Sequence, residues 1–145
     1  MRLSTKGRYA TRIMVYLARN EGTVPSRKQE IADSEGISAD YVEQLLMKLK
    51  TAGLVVSHRG AKGGFTLGRS SSEISVADVL VATEGPLAIV PCLDENCERS
   101  CSCVTQPVWQ EAADTLYGLF SGRTIAALAD QADQLESART LTYHI

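Results

Sequence analysis

Histidine is scarce in this chain, cysteine is missing from the first 91 residues, and no apolar run approaches the length of a membrane span. The two histidines are His58 and His144, the second only one residue from the end. A cysteine or serine nucleophile wants an imidazole base within reach, so nucleophilic catalysis is not expected. No carboxylate pair stands out for acid–base work. The glycine-rich "GAKGG" at 60–64 lacks the strand-to-helix context and the Lys-Ser/Thr ending of a phosphate loop. No enzyme is therefore expected. A helix that crosses a bilayer needs about 20 apolar residues, and none is present. The opening "MRLSTKGRYATRIMVYLARNEG" threads charges through its apolar positions, which argues against a signal peptide and predicts a cytoplasmic protein with no membrane partner. In that reducing compartment structural disulfides are not expected.

Basic residues are also scarce, but only in the second half. Residues 1–70 hold 12 Lys and Arg against 6 Asp and Glu; residues 71–145 hold 3 against 11. The overall charge of −2 hides this division. A basic half suits a polyanion, and an acidic half does not. With 145 residues, 44% of them hydrophobic, a packed core is within reach.

Hydrophobic spacing predicts a helix over 4–20, with Ser4 or Thr5 as cap and Tyr9, Ile13, Tyr16 and Leu17 on one side. Ser26 is expected to open a second short helix, with Gln29 placed for a capping box, and Gly36 to end it. Ser38 caps a third helix that stops at Gly53. Helix, glycine turn, helix is the helix-turn-helix pattern. On the third helix Val42, Leu45, Leu46 and Leu49 share the inward side. Asp40, Gln44, Met47 and Thr51 face outward, flanked by Tyr41, Lys48, Glu43 and Lys50. Short strands at 54–59 and 65–68 follow, joined through Gly60, Gly63 and Gly64, and read as a β-hairpin wing. Base readout is expected from Tyr41, Glu43, Gln44 and Lys48. Arg59 and Gly60 at the wing are expected to approach a minor groove. Lys6, Arg8, Arg27, Lys28 and Lys62 are expected to contact phosphates.

The second half reads as a linker helix near 75–83, a cysteine loop at 92–103, a long helix at 107–121 and a short final helix "IAALADQA" with a loose tail beyond Ser137. Ser75 and Asp78 can form a capping box, with Ile74 stapled to Val79. Pro107 suits a first helical turn. On the long helix Trp109, Ala112, Ala113, Leu116 and Phe120 form an apolar stripe expected to make a homodimer, matched to a pseudo-palindromic double-stranded DNA site. The expected fold class is mainly α with a small β-hairpin wing: a winged helix-turn-helix over 1–70, then the linker helix, cysteine loop, dimerisation helix and C-terminal helix over 71–145.

All four cysteines, Cys92, Cys97, Cys101 and Cys103, fall within twelve residues among acidic and polar neighbours. Crowded thiolates repel unless a cation or a bond joins them. Zinc favours paired knuckles separated by a longer arm. Four uneven thiolates on one loop suit an iron–sulfur cluster better, [2Fe-2S] or [4Fe-4S]. Zinc and a metal-free redox pair of thiols stay open as alternatives, and so does a metal-stabilised module that binds protein rather than DNA.

Taken together, "MRLSTKGRYA", "ISADYVEQLLMKLKTAGLV", "RGAKGGFTLGR", "ISVADVL" and a cysteine loop leading into "PVWQEAADTL" resemble the bacterial IscR-like family of iron–sulfur cluster regulators. Nitric-oxide, iron and cysteine-metabolism sensors also belong to it. The resemblance runs from Met1 to about Ala129. It implies a homodimeric winged-helix transcription regulator in which the long helix forms the dimer interface and the cysteine loop couples cluster state to DNA binding. Arg59 matches the family's wing arginine, and Tyr41, Glu43 and Gln44 match its recognition positions. Cys92 and Cys103 match the outer ligand cysteines, and Cys97 lies near the middle one. Where the family's namesake carries a histidine, three residues past the last cysteine, this chain has Gln106. Cys101 is additional and is a candidate fourth thiolate. Arg8, at the place where a partner's first helix completes the site in some members, cannot ligate.

Overall fold

A computed structural model describes residues 3–93, 97–100 and 102–142, with residues 141 and 142 described as backbone alone. Cys101 is therefore outside the described residues. Helix α1, Thr5–Arg19, starts where the extended Ser4 turns its hydroxyl onto the amides of Lys6 and Gly7, 3.1 and 3.4 Å away. It buries Ala10, Ile13, Met14 and Leu17. Helix α2, Lys28–Glu35, ends at Gly36, whose φ of +66° lets the chain reverse into Ser38. Ser38 accepts from the Tyr41 amide and opens α3, Ala39–Thr51. Its inward residues Val42, Leu45, Leu46 and Leu49 are all buried. Gly53, at φ +74°, releases the chain into strand β1, Val55–His58. Antiparallel β2, Gly64–Leu67, pairs with it in the register Val55 to Leu67 through His58 to Gly64.

Helix α4, Val76–Glu84, begins with a reciprocal box: Ser75 accepts from the Asp78 amide, and Asp78 accepts from the Ser75 amide at 2.8 Å. Ile74 and Val79 beside it are fully buried. Helices α5, Gln106–Ser121, and α6, Ile125–Thr142, complete the chain. An isolated antiparallel bridge between Ser75 and Thr124 ties the starts of α4 and α6 together, through Val76 N–H to Arg123 O and Ile125 N–H to Ile74 O, both 2.8 Å. The core centres on α1. Ile31, the inner side of α3, Val55, Ile74, Val79 and Ile125 close around it. The mainly α architecture with one antiparallel hairpin is the one expected from the sequence. Among the described residues no helix is long and apolar enough to cross a membrane.

Two local expectations are corrected. The second helix starts at Lys28 rather than at Ser26, and Glu30, not Gln29, closes its cap by accepting from the Arg27 amide at 2.8 Å. Ser26 is not free to cap, because its backbone pairs with Phe65 of β2: each amide donates to the other's carbonyl, at 3.0 and 2.8 Å. The final helix is not short, nor does it fray at Ser137; it runs to Thr142. No glycine or proline interrupts it. Arg19 at the end of α1 reaches across to pair with Asp133, at 2.6 Å, and with Glu136.

The Ser26 pairing leaves no room above Gly64. A Cβ there would lie 2.5 Å from the Ser26 carbonyl oxygen, a backbone atom that cannot turn aside. Overpacking of this kind costs about 1–3 kcal/mol. Gly64→Ala is expected to lower the unfolding free energy by about that amount, read as a shifted urea midpoint at constant slope.

Candidate nucleic-acid interface and cysteine loop

The outward side of α3 carries Glu43, Gln44, Met47 and Lys48, all exposed. Tyr41 is half-buried. Its ring meets that of Tyr9 edge-on, with centroids 6.1 Å apart, and the Arg12 guanidinium lies 5.2 Å over the Tyr9 ring. Tyr41 is thus braced from α1, which limits the directions its phenol can take. Glu43 is braced from α2: Lys28 Nζ donates to its carboxylate at 2.5 Å. That contact holds the Lys28 ammonium above its ordinary pKa, the hydrogen bond to Glu43 being the main cause. The pair is exposed, so water and salt weaken it. Lys48 turns away from this group, since its Nζ donates to the Thr83 carbonyl of α4 at 3.2 Å. Of the four residues expected to read bases, Glu43 and Gln44 therefore lie on the outward side, with Glu43 engaged from α2, while Tyr41 and Lys48 lie along its other edge, engaged from α1 and α4.

At the wing, Gly60 takes φ +106° and accepts from the Gly63 amide at 2.9 Å, which tightens the tip around Arg59, Ala61 and Lys62. Arg59 and Lys62 are exposed. Arg27 lies against this tip and donates from Nη2 to the Ala61 carbonyl at 2.8 Å. Lys6 and Arg8 are exposed on the opening turns of α1. Arg8 lines a groove between α1 and α6 with Arg12, Arg19 and Leu128.

Glu84, the last residue of α4, had no signal in the sequence. Its carboxylate accepts from the Gly7 amide at 3.0 Å and from the Ser4 hydroxyl, across about eighty residues of chain. An acidic group over the open amides of a helix start is favourable. With Thr83 holding Lys48, the end of α4 touches both the start of α1 and the recognition helix. The next residue, Gly85 at φ +89°, leads into the cysteine loop.

In that loop Cys92 sits on a single 3-10 turn, Pro91–Leu93. Cys92, Cys97 and Cys103 are half-buried free thiols. Cys103 precedes α5, and its Sγ lies 3.3 Å from the Thr105 hydroxyl. That hydrogen bond, then the backbone amides of Thr105 and Gln106, and lastly the Arg99 charge, hold the thiol below its ordinary pKa. A ready thiolate is the form that ligates iron, so the donor chemistry fits an iron–sulfur cluster. The arrangement is not yet that of a finished site: among the described residues no three Cys, His, Asp or Glu side chains are gathered to hold one metal ion. Gln106 opens α5 at the position beside the loop.

Helix α5 buries only Ala113 against its own chain. Ala112, Leu116 and Phe120 are half-buried, and Trp109 is 39% exposed. The expected stripe thus lies partly inward. Val108 and Leu119, 56% and 52% exposed, extend it outward, and they are what the stripe alone missed. At about 100° per residue they sit on the side next to Ala112.

Residues 3–131 match the family described as Rrf2, iron-dependent transcriptional regulator. The protein rrf2 of Nitratidesulfovibrio vulgaris is 38% identical over 130 residues, covering 88% of this chain and 87% of that protein. Among solved structures, the IscR of T. potens superposes with a TM-score of 0.77 at 32% identity, over 93% of this chain and 90% of that one. CymR (YrzC), the global cysteine regulator of B. subtilis, gives 0.76 at 35% identity, over 90% and 98%. The family's description and the CymR title name regulators, not enzymes. The winged hairpin, the helix-turn-helix and the match along nearly the whole chain agree: this protein belongs to the Rrf2 family of transcriptional regulators.

Proposed function

We propose that this chain is a cytoplasmic, homodimeric DNA-binding regulator in which the 92–103 loop holds an iron–sulfur cluster and reports its presence to the reading head. The observation that carries this reading is the end of α4. Thr83 and Glu84 hold α3 and α1, and eight residues later the chain reaches Cys92, the start of the loop that contains every cysteine. A change in loop order pulls on that end first. Cys92, Cys97 and Cys103, with Cys101 as the fourth thiolate, would hold the cluster, and the cluster supplies the sensing chemistry. Support also comes from the family's description as iron-dependent and from the likeness to an IscR.

Double-stranded DNA is met by Tyr41, Glu43 and Gln44 on α3 and by Arg59 at the wing, with Lys6, Arg8, Lys28 and Lys62 toward phosphates. Homodimerisation falls to α5. A 16-residue helix that buries one residue at home leaves Val108, Trp109, Ala112 and Leu119 to be covered by something. A second copy covers them by two-fold symmetry and sets two reading heads on a pseudo-palindromic site.

A metal-free thiol switch is the second reading. The activated Cys103 thiol favours it, as does the likeness to a protein titled the global cysteine regulator.

Protein purified without oxygen is expected to be coloured and to carry iron and sulfide in near-stoichiometric amounts. Cys92→Ala, Cys97→Ala and Cys103→Ala are each expected to lose them. Cluster-loaded and cluster-free protein should differ about 5–150-fold in affinity for a duplex selected from a random pool, the range of a coupling of about 1–3 kcal/mol. Equal affinities remove the sensing role, and colourless, iron-free protein leaves the thiol switch. Leu119→Glu is expected to halve the mass seen by sedimentation while the helical circular dichroism stays. In cluster-free protein Cys103 should be alkylated faster at neutral pH than the thiol of an unstructured peptide. Because its pKa is lowered, that advantage should persist as pH falls below the ordinary thiol range.

A further inference from the structure

Arg27 stands among the cations expected to contact phosphate, yet its guanidinium is engaged within the protein. It spans 34 residues of chain to donate from Nη2 to the Ala61 carbonyl at the wing tip, 2.8 Å away. The backbone that carries it is fixed on both sides. Ser26 before it exchanges two hydrogen bonds with Phe65 of β2, and Gly64 packs against the Ser26 carbonyl with no space for a Cβ. On the other side, Glu30 accepts from Arg27's own amide at 2.8 Å. Ser26 thus makes an isolated antiparallel bridge to the wing, and Arg27, the next residue, reaches from it to the tip.

The tip itself is weak. Two strands alone are marginal in water, and glycine at 60 and 63 adds to the conformational freedom that the tip loses on ordering. One internal bond, Gly63 N–H to Gly60 O, closes it. Among the described residues, Arg27 is the side chain that holds this tip from outside. It also lines one groove with Lys62, which is exposed.

We propose that Arg27 is a positioning residue for the wing: by holding the Ala61 carbonyl it fixes the attitude at which Arg59 and Lys62 meet DNA, and it does not act as a phosphate contact. This rests on the reading of the wing as a DNA contact. A wing ordered beforehand loses less conformational freedom on binding, and the difference appears as affinity.

The test uses the full chain and a duplex that the wild-type protein selects from a random-sequence pool. Affinities of wild type, Arg27→Ala, Arg59→Ala and the double variant are measured over a series of salt concentrations. Arg27→Ala is expected to weaken binding about tenfold with an unchanged salt slope. Added to Arg59→Ala, it is expected to cost clearly less than it does alone, because part of its effect runs through that residue. In the DNA-free protein, hydrogen exchange at the 61–64 amides should quicken in Arg27→Ala while the core helices keep wild-type protection. A salt slope lower by about one per protomer is the mark of a lost phosphate contact. That result, losses that multiply in the double variant, or wild-type exchange at the tip would each overturn the proposal. If the wild-type protein selects no duplex, the wing's role in DNA binding falls and the proposal falls with it. Quickened exchange at the tip would then still show Arg27 to be a brace.

Discussion

A carboxylate at the end of α4 sits over the exposed amides at the start of α1, and the geometry of the reading head depends on that contact. Glu84 accepts from Gly7, and Gly7 is glycine where a Cβ would meet Glu84 Oε1 at 2.6 Å and Leu80 Cδ2 at 2.8 Å. The two helices approach this closely because one of them has no side chain at the crossing. Next to it, the Thr83 carbonyl holds Lys48. Helix α4 is therefore more than a link between the basic and acidic halves. Its first turn is pinned to α6 by the Ser75–Thr124 bridge, and its last turn is shared by α1 and α3.

The cysteine loop leaves from this junction and ends at the start of α5, where the amides of Thr105 and Gln106 and the Thr105 hydroxyl favour the Cys103 thiolate. The same feature suits either chemistry proposed for the loop. A thiolate is the ligand of a cluster and also the nucleophile of a redox switch. The family alone does not choose between them, since an IscR and a cysteine regulator lie at nearly the same structural distance. The choice falls on how many thiols act together.

Local rules served well where a side chain answers to its own neighbours. Ser38 caps α3, Ser75 and Asp78 close a box, and Gly36 and Gly53 turn the chain, all within a few residues of sequence. The inward side of α3 follows from spacing. Ser26 looked like a cap by the same local logic, but tertiary pairing with Phe65 claimed its backbone. The final helix was undervalued because its support, Arg19 on Asp133 and Glu136, comes from the far end of the sequence. Glu84 on Gly7 and Arg27 on Ala61 were invisible for the same reason: each joins residues tens of positions apart. For the candidate site, residue types were legible, whereas their division into free and engaged groups was not. Lys48, Lys28 and Arg27 resemble equivalent surface cations in the sequence, and each has a different partner in the fold.

The Lys28–Glu43 pair makes that division matter. A phosphate that draws Lys28 to itself strips Glu43 of its counter-charge and leaves a bare carboxylate beside a polyanion. Such an exchange is unfavourable unless a base edge offers an amino hydrogen in return, as cytosine does in the major groove. Were both residues to meet DNA as proposed, the pair would act as a toll on indiscriminate contact, repaid only where the sequence offers that amino hydrogen.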